Sequence, residues 1–248
     1  MSPATRRSGS RTVAGAALIV AAACAAALML PGCPGAPPPP SVPPAPPDGL
    51  EYQPPAPGTY ALPPIAPAAD GAVVDDQGVS RRLFDYLDHR YVLLSFIYTH
   101  CTDSQGCPLA TGVLTMVKEA LTSEPELATR VRLISLSFDP DRDTPAVMRR
   151  YALHGRLDDP DSRWQARTWS FLTTRSCEDL EPILEGYGQS IVREIDAQGR
   201  PTGDFSHVLK VFLIDRRRRV RNIYSTAFLH PAIAINDLKT LWLEDGRP

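Results

Sequence analysis

Two cysteines, Cys101 and Cys107, lie between a predicted strand and a predicted helix, and this junction constrains the fold more than any other feature. The strand is an apolar run, rich in β-branched and aromatic residues, at positions 91–98. The helix begins near Pro108, which suits a first helical turn, and apolar residues recur at helical spacing as far as Leu121. A helix N-terminus favours an anionic sulfur and depresses a thiol pKa. The junction therefore predicts reactive or metal-binding cysteines.

The first 33 residues have the pattern of an export signal. Three arginines precede an apolar run at 13–30, and a Leu-Pro-Gly-Cys sequence ends at Cys33. This sequence resembles a bacterial lipoprotein signal, in which the chain is cut before the cysteine and Cys33 carries the lipid. The alternative is an uncleaved helix that spans the membrane. Both interpretations predict an exported, membrane-anchored protein that faces the periplasm.

A proline-rich linker is predicted for residues 34–67. Sixteen of the 26 prolines lie between Pro31 and Pro67, and such a segment forms a semi-rigid, extended spacer. The folded domain is then 68–248. The formal net charge of −2 argues against a nucleic-acid partner.

The order of predicted elements in residues 68–248 indicates an α/β fold. A hairpin at 72–80 and a short helix at 83–87 precede the strand at 91–98. A helix, a strand at 131–138, a helix at 145–153 and a strand at 169–173 follow. The remaining predicted elements are a helix at 179–187, strands at 191–195, 208–214 and 220–224, and a helix at 231–243. This order resembles a thioredoxin-like three-layer sandwich with a central mixed sheet and an extra N-terminal hairpin.

His207, which precedes the predicted strand at 208–214, is the third candidate site residue. A lone histidine in such a place is more often a surface residue. In a thioredoxin-like topology, however, the loop that enters this strand packs against the cysteine loop. Cys101, Cys107 and His207 would then offer two sulfurs and one nitrogen, a donor set that suits Cu(I), Cu(II) or Zn(II). The alternative is that the two cysteines form a structural disulfide, as is usual in exported domains.

Four segments together resemble the Sco/SenC family, whose members are membrane-tethered, thioredoxin-like copper proteins that help to metallate cytochrome c oxidase. They are Phe-Ile-Tyr-Thr-His-Cys at 96–101, Cys-Pro at 107–108, Phe-Asp-Pro-Asp-Arg-Asp-Thr-Pro at 138–145 and His-Val-Leu-Lys-Val-Phe-Leu-Ile-Asp at 207–215. The resemblance implies copper binding by Cys101, Cys107 and His207, or a thiol-disulfide role for the two cysteines. Two departures stand out. Five residues rather than three separate the cysteines, and Ser206 occupies a position where the family commonly has an acid.

The leading interpretation is a copper chaperone rather than an enzyme, with a cytochrome c oxidase subunit or another cuproprotein as its client. One alternative is a thiol-disulfide reductase in which Cys101 attacks and Cys107 resolves the mixed disulfide. A peroxidase that uses Cys101 is a weaker alternative. A third class is an interaction domain that holds a structural disulfide and no metal.

Several other residues received secondary predictions. Cys177 is either an incidental thiol before a helix or a third sulfur of the site, and His100 tunes the site rather than binding the metal. His230 begins the last helix, and His89 and His154 lie on the surface. The arginines at 216–219 and 221 form a solvated turn or dock an acidic partner or anionic lipid. Trp164 and Trp169 rim the site or pack in the core, and Cys24 is a small hydrophobic residue of the signal.

Overall fold

The structure, a computed structural model, describes residues 47–154 and 168–246. The predictions for the export signal, for Cys24 and Cys33, for the first part of the linker and for Trp164 lie outside the described residues. The same is true of the side chain of His154.

An eight-stranded mixed sheet forms the centre of the fold, in the order β1-β10-β9-β4-β5-β6-β2-β3. Its strands are β1 (Ala66–Pro67), β2 (Ala72–Asp75), β3 (Ser80–Arg82), β4 (Tyr91–Ile97), β5 (Val131–Ser137), β6 (Trp169–Thr173), β9 (Val211–Ile214) and β10 (Arg219–Tyr224). Strands β4, β5 and β6 pair in parallel, and all other neighbours pair antiparallel. The predicted α/β fold, its mixed sheet and its N-terminal hairpin, β2–β3, are confirmed.

Parallel pairing at the centre explains the continuous apolar runs in the sequence. Every residue of β4 is buried, because parallel strands are covered on both faces. Two buried serines of this region share hydrogen bonds, since Ser95 Oγ lies 3.1 Å from Ser135 Oγ and the indole N–H of Trp169 donates to Ser135 Oγ. Trp169 is therefore a core residue and does not rim the site.

Six helices connect or flank the strands within the described residues. They are α1 (Phe84–Leu87), α2 (Cys107–Leu121), α3 (Pro125–Ala128), α4 (Pro145–His154), α5 (Cys177–Gly186) and α6 (Pro231–Glu244). The sequence predicts an apolar stripe of Leu109, Val113, Leu114, Val117 and Leu121 along α2. The last four are buried, Leu109 is partly buried, and Ala110 is buried beside them. Across residues 47–154 and 168–246, no helix is long and apolar enough to cross a membrane.

A separate two-stranded sheet, β7 (Ile191–Ile195) and β8 (Pro201–His207), carries the histidine. The sequence predicted a strand at 208–214 with His207 in the loop before it. In the structure His207 is the last residue of β8, and the next strand begins only at Val211. The prediction missed β8 because Phe205 is its one buried residue, so the strand lacks an alternating apolar pattern. It is held instead by its antiparallel pairing with β7.

The chain before the predicted domain boundary at Ala68 is also part of the packed structure. The backbone N–H of Gly58 donates to Thr240 Oγ1, and the hydroxyl of Tyr60 donates to Asp237, both on α6. Strand β1 then pairs with β10. The described part of the predicted linker therefore lies against the domain rather than serving as a free spacer.

Candidate metal site

Cys107 is the first residue of α2, and its sulfur is buried at the end of β4. The residue is 1% exposed. The backbone N–H of Tyr98 donates a hydrogen bond to Cys107 Sγ, and the nitrogen and sulfur are 3.4 Å apart. Pro108 follows in the first turn of the helix, where a missing N–H costs nothing. The short path from β4 to α2 thus places one sulfur at the edge of the core.

Cys101 lies in the loop between β4 and α2 and is half-buried. The loop turns back at residues 103–106, where the N–H of Gly106 donates to the carbonyl of Asp103. A Cβ atom at position 106 would lie 3.1 Å from Cys101 Sγ and 3.3 Å from the oxygen of Asp103. Glycine at this position therefore lets the five-residue loop close over Cys101.

His207 completes the cluster from the other sheet. Its Nε2 lies 3.8 Å from Cys107 Sγ, and its ring packs edge-on against Phe138 and Tyr98, with centroids 5.0 and 6.0 Å away. The aromatic contacts hold the imidazole at the end of β8. They also shield one side of it from water.

One ligand atom each from Cys101, Cys107 and His207 lie within 4.8 Å of one another. Sulfur and nitrogen donors sit about 2.0–2.3 Å from a bound soft metal ion, so two donors of one ion are at most about 4.6 Å apart. Shifts of a few tenths of an ångström would therefore suffice to bring all three donors onto one ion. All three cysteines of the described residues are free thiols.

Burial sets the protonation of two members of the cluster. It raises the pKa of the Cys107 thiol well above its ordinary value, chiefly by desolvation. The expectation of a depressed thiol pKa at the helix N-terminus is thus wrong for Cys107. Desolvation raises this pKa by more than the hydrogen bond from the N–H of Tyr98 lowers it. Burial lowers the pKa of His207, so the imidazole is neutral at neutral pH and its lone pair is available to a metal.

The turn between β5 and α4 holds in place the two elements that carry the candidate metal ligands, the cysteine loop and β8. Asp143 is fully buried and accepts hydrogen bonds from the backbone N–H of Thr99 (3.0 Å), from Thr99 Oγ1 (2.5 Å) and from Ser137 Oγ (2.6 Å). Arg142 donates to the carbonyl of Gly203 on β8 at 2.7 Å. One turn therefore restrains the start of the cysteine loop and the strand that ends at His207.

Neither role was predicted from the sequence. The 138–145 segment was noted only as part of a resemblance. Local patterns do not reveal which distant backbone groups a buried Asp143 accepts or which strand Arg142 reaches. The available signal was the presence of three acids in the Asp-Pro-Asp-Arg-Asp sequence at 139–143.

Three other predicted candidates lie outside the cluster. His100 is exposed, with Nδ1 at 3.2 Å from Thr99 Oγ1. Cys177 begins α5, and its sulfur accepts from Nη2 of Arg193 at 3.6 Å, so it is not a third sulfur of the cluster. His230 caps α6 as predicted, since its Nδ1 accepts from the N–H of Ala232.

The prediction of a solvated turn for the arginine run at 216–219 and 221 holds for Arg217 and Arg218, which are exposed. Arg219 and Arg221, in contrast, both bind the carboxylate of Asp215. Arg221 is 5% exposed and also pairs with Glu244 at 2.6 Å. The end of the turn is therefore tied to the core by the buried pair of Arg221 with Asp215, and to α6 by the pair of Arg221 with Glu244.

Known proteins resemble this chain in sequence and in fold. A family model described as SCO1/SenC matches residues 72–243. The mitochondrial SCO2 homologue of Bos taurus is 38% identical over 90 residues, which are 36% of this chain and 32% of that protein. The mitochondrial SCO2 homologue of Mus musculus is 36% identical over 90 residues, or 36% and 34% of the two chains. The match thus spans about a third of the length of these curated relatives.

Two solved structures extend the similarity over most of the fold. Apo Sco1 from Thermus thermophilus has a TM-score of 0.57 and 28% identity, and the alignment covers 74% of this chain and 95% of that one. Copper-bound ScoI from Bradyrhizobium japonicum has a TM-score of 0.54 and 25% identity, with 71% and 99% of the chains covered. The sequence resemblance and the thioredoxin-like fold are confirmed.

Proposed function

Since this chain belongs to the SCO1/SenC family, whose model matches most of its length, we propose that it is a copper chaperone. It accepts one copper ion through Cys101 Sγ, Cys107 Sγ and the imidazole of His207, and delivers the ion to a recipient protein in the assembly of cytochrome c oxidase or to another cuproprotein. The observation that carries the proposal is the convergence of these three ligand atoms within 4.8 Å.

The donor set supports copper as the cargo. Two thiolates and one imidazole are soft or intermediate ligands, which select Cu(I) and Zn(II) over hard cations. The copper-bound state of a solved relative favours copper between these two. A three-donor site of this kind leaves room for a recipient's ligand to approach the metal.

Metal uptake must displace the proton of Cys107, whose pKa burial raises. Affinity for copper therefore falls as the pH decreases, because protons and the metal compete for the same sulfur. The neutral imidazole of His207 adds no such cost near neutral pH.

Thiol-disulfide exchange is the second candidate, favoured by two free thiols in one cluster. It requires Cys107 to attack as a thiolate when it resolves a mixed disulfide. The burial that raises the pKa of Cys107 slows that step, so we rank exchange below copper delivery.

Copper titration of the reduced full chain tests the proposal. We expect one tightly bound equivalent in the wild type, and an affinity lower by about 100-fold or more in His207→Ala, because a ligand is lost. His89→Ala is the matched control, since His89 is an exposed histidine outside the cluster, and it should bind like the wild type. Equal affinity in His207→Ala and the wild type would refute the three-donor site. A wild-type chain that binds no copper tightly, while Cys101 and Cys107 still exchange disulfides with a partner dithiol, would favour the second candidate.

We also propose that the domain is exported and held at the membrane, facing the periplasm, through a lipid on Cys33. The arginine-rich start, the apolar run at 13–30 and the Leu-Pro-Gly-Cys sequence support this proposal. In the wild type we expect labelled palmitate to be incorporated, and Cys33→Ser should abolish this incorporation. A wild-type chain that stays in the membrane fraction without incorporating the label would favour the uncleaved helix.

A further inference from the structure

A cavity of about 340 Å³ opens beside the cluster, between the cysteine loop, the start of α2 and the side of α4. The residues that matter for its chemistry are Tyr98, Cys101, Cys107, Pro108, Thr111 and Tyr151. Its volume is at the lower end of the range for ligand pockets, about 300–1,000 Å³. It therefore suits one or two side chains rather than a large cofactor.

The position of the cavity relates it to the metal cluster. Both sulfur donors line it, whereas His207 does not. A group inside the cavity would therefore approach a bound ion from the side of the two cysteines. It would lie next to Cys101, which is the more exposed of the two residues. This is the direction from which a new ligand would displace Cys101.

The walls indicate what kind of group the cavity accepts. None of the described lining residues carries a formally charged side chain, and the lining includes two tyrosine rings and a proline. The hydroxyls of Thr111 and Tyr151 are 2.8 Å apart and hydrogen-bond each other. Tyrosine phenols are ordinarily neutral at neutral pH. A carboxylate or an ammonium group would therefore find no oppositely charged partner among the lining residues.

We propose that this cavity receives a methionine side chain of the recipient protein, whose thioether takes over the copper; this inference rests on the proposed function. A thioether is neutral, flexible and polarisable, makes favourable contacts with aromatic rings, and is a soft ligand for Cu(I). A cysteine thiol would first have to lose its proton, and no carboxylate, imidazole or cation lines the cavity to help before the bond to Cys101 breaks.

Exchange at this place changes no oxidation state. The sulfur lone pair of the thioether forms a new bond to Cu(I), and the bond between Cu(I) and Cys101 Sγ breaks. The released thiolate takes a proton from water. Further ligands of the recipient then replace Cys107 Sγ and the imidazole of His207 on the ion, and the released Cys107 thiolate also takes a proton from water.

Two short, uncharged peptides test the inference, one with a single methionine and one with norleucine in its place. The full chain loaded with Cu(I) is mixed with an excess of a bulky, anionic Cu(I) chelator as final acceptor, and formation of the chelator complex is followed by absorbance. The methionine peptide should accelerate transfer by about tenfold or more. The norleucine peptide has the same shape but no donor atom, so it should not accelerate transfer and should compete with the methionine peptide.

A cavity-filling variant provides the second arm. Thr111→Leu adds apolar volume to the wall, and should reduce the acceleration by about tenfold or more while copper affinity is retained. Thr115→Leu, one turn along α2 and outside the cavity, is the matched control and should behave like the wild type. Equal acceleration in wild type and Thr111→Leu, or equal effects of the methionine and norleucine peptides, would overturn the inference. A cysteine peptide that outperforms the methionine peptide would overturn the choice of occupant.

Failure of the proposed function is distinguished from failure of this inference by a metal-free measurement. Anisotropy of a fluorescent norleucine peptide reports docking to the copper-free full chain. Docking that Thr111→Leu weakens and Thr115→Leu leaves unchanged supports the cavity assignment whatever the copper titration shows. No docking refutes it, even for a chain that binds copper tightly.

Discussion

Replacement of Asp143 by alanine should destabilise the protein by about 3–5 kcal/mol and loosen the cysteine loop. Asp143 is fully buried and accepts three hydrogen bonds, and each hydrogen bond to a charged group contributes about 1.5–3 kcal/mol. The hydroxyl of Thr99 can turn toward the neighbouring His100 Nδ1, at 3.2 Å, so it keeps a partner. The N–H of Thr99 and the buried hydroxyl of Ser137 lose theirs.

The assay is urea denaturation of the full chain followed by far-UV circular dichroism, with copper titration of the same samples. Thr99 lies two residues before Cys101, so release of its backbone should also lower copper affinity by about tenfold, as is usual for residues that orient a ligand. Asp143→Asn keeps one acceptor oxygen and should cost less than the alanine variant.

Asp139 provides the matched control because it is a buried aspartate of the same turn without the hydrogen bonds. It is 1% exposed, its two carboxylate oxygens have no hydrogen-bond partner among the described residues, and Arg193 is 4.0 Å away. Asp139→Asn should not lower the free energy of unfolding by more than about 1 kcal/mol at pH 7. If Asp143→Ala costs no more than Asp139→Asn, hydrogen bonding to Asp143 does not hold the loop.

Three further predictions concern other parts of the fold. Gly203→Ala should cost about 1–3 kcal/mol, because φ is +95° and the new Cβ would lie 2.2 Å from the guanidinium of Arg142; Gly199→Ala, which has φ of +76° and open space, should cost less in the same denaturation assay. Burial raises the pKa of Asp139, so the folded state binds its proton more tightly than the unfolded state does, and this contribution to stability is lost as pH rises through the folded pKa. The stability of Asp139→Asn relative to the wild type should therefore rise with pH above the ordinary pKa of aspartate, in urea titrations at several pH values, and a constant difference would contradict this. Arg221→Met should lower the free energy of unfolding by about 3 kcal/mol, because it leaves buried Asp215 with one partner fewer; a loss no greater than that of exposed Arg217→Met, measured in the same way, would be the contrary result.

Much of the secondary structure followed from local patterns. Strands β4 and β5 are continuous apolar runs, and α2 has an apolar stripe with a proline in its first turn. These signals are local because burial on two faces, or along one stripe, requires apolar residues at defined spacings. Strand β8 carried no such signal, since a hairpin exposed to water needs few apolar side chains.

The protonation of the site did not follow from the sequence in the same way. Position at a helix N-terminus indicated a depressed thiol pKa for Cys107, but the sulfur is almost completely buried and desolvation raises the pKa instead. The arginine run likewise indicated a solvated turn, and Arg221 is instead paired inside the protein. Burial depends on what packs over a residue, and that is decided by distant parts of the chain.

The sequence by itself determined the α/β order of the elements, the junction that bears Cys101 and Cys107, and the histidine that follows far along the chain. These are properties of residue type and spacing. Only the tertiary structure decided that the three ligand atoms meet, that the turn with Arg142 and Asp143 restrains both elements that carry them, and that an apolar cavity borders the sulfurs. The contact between Cys107 and His207 joins residues 100 positions apart, and such a distance is closed by sheet pairing and core packing rather than by any local preference.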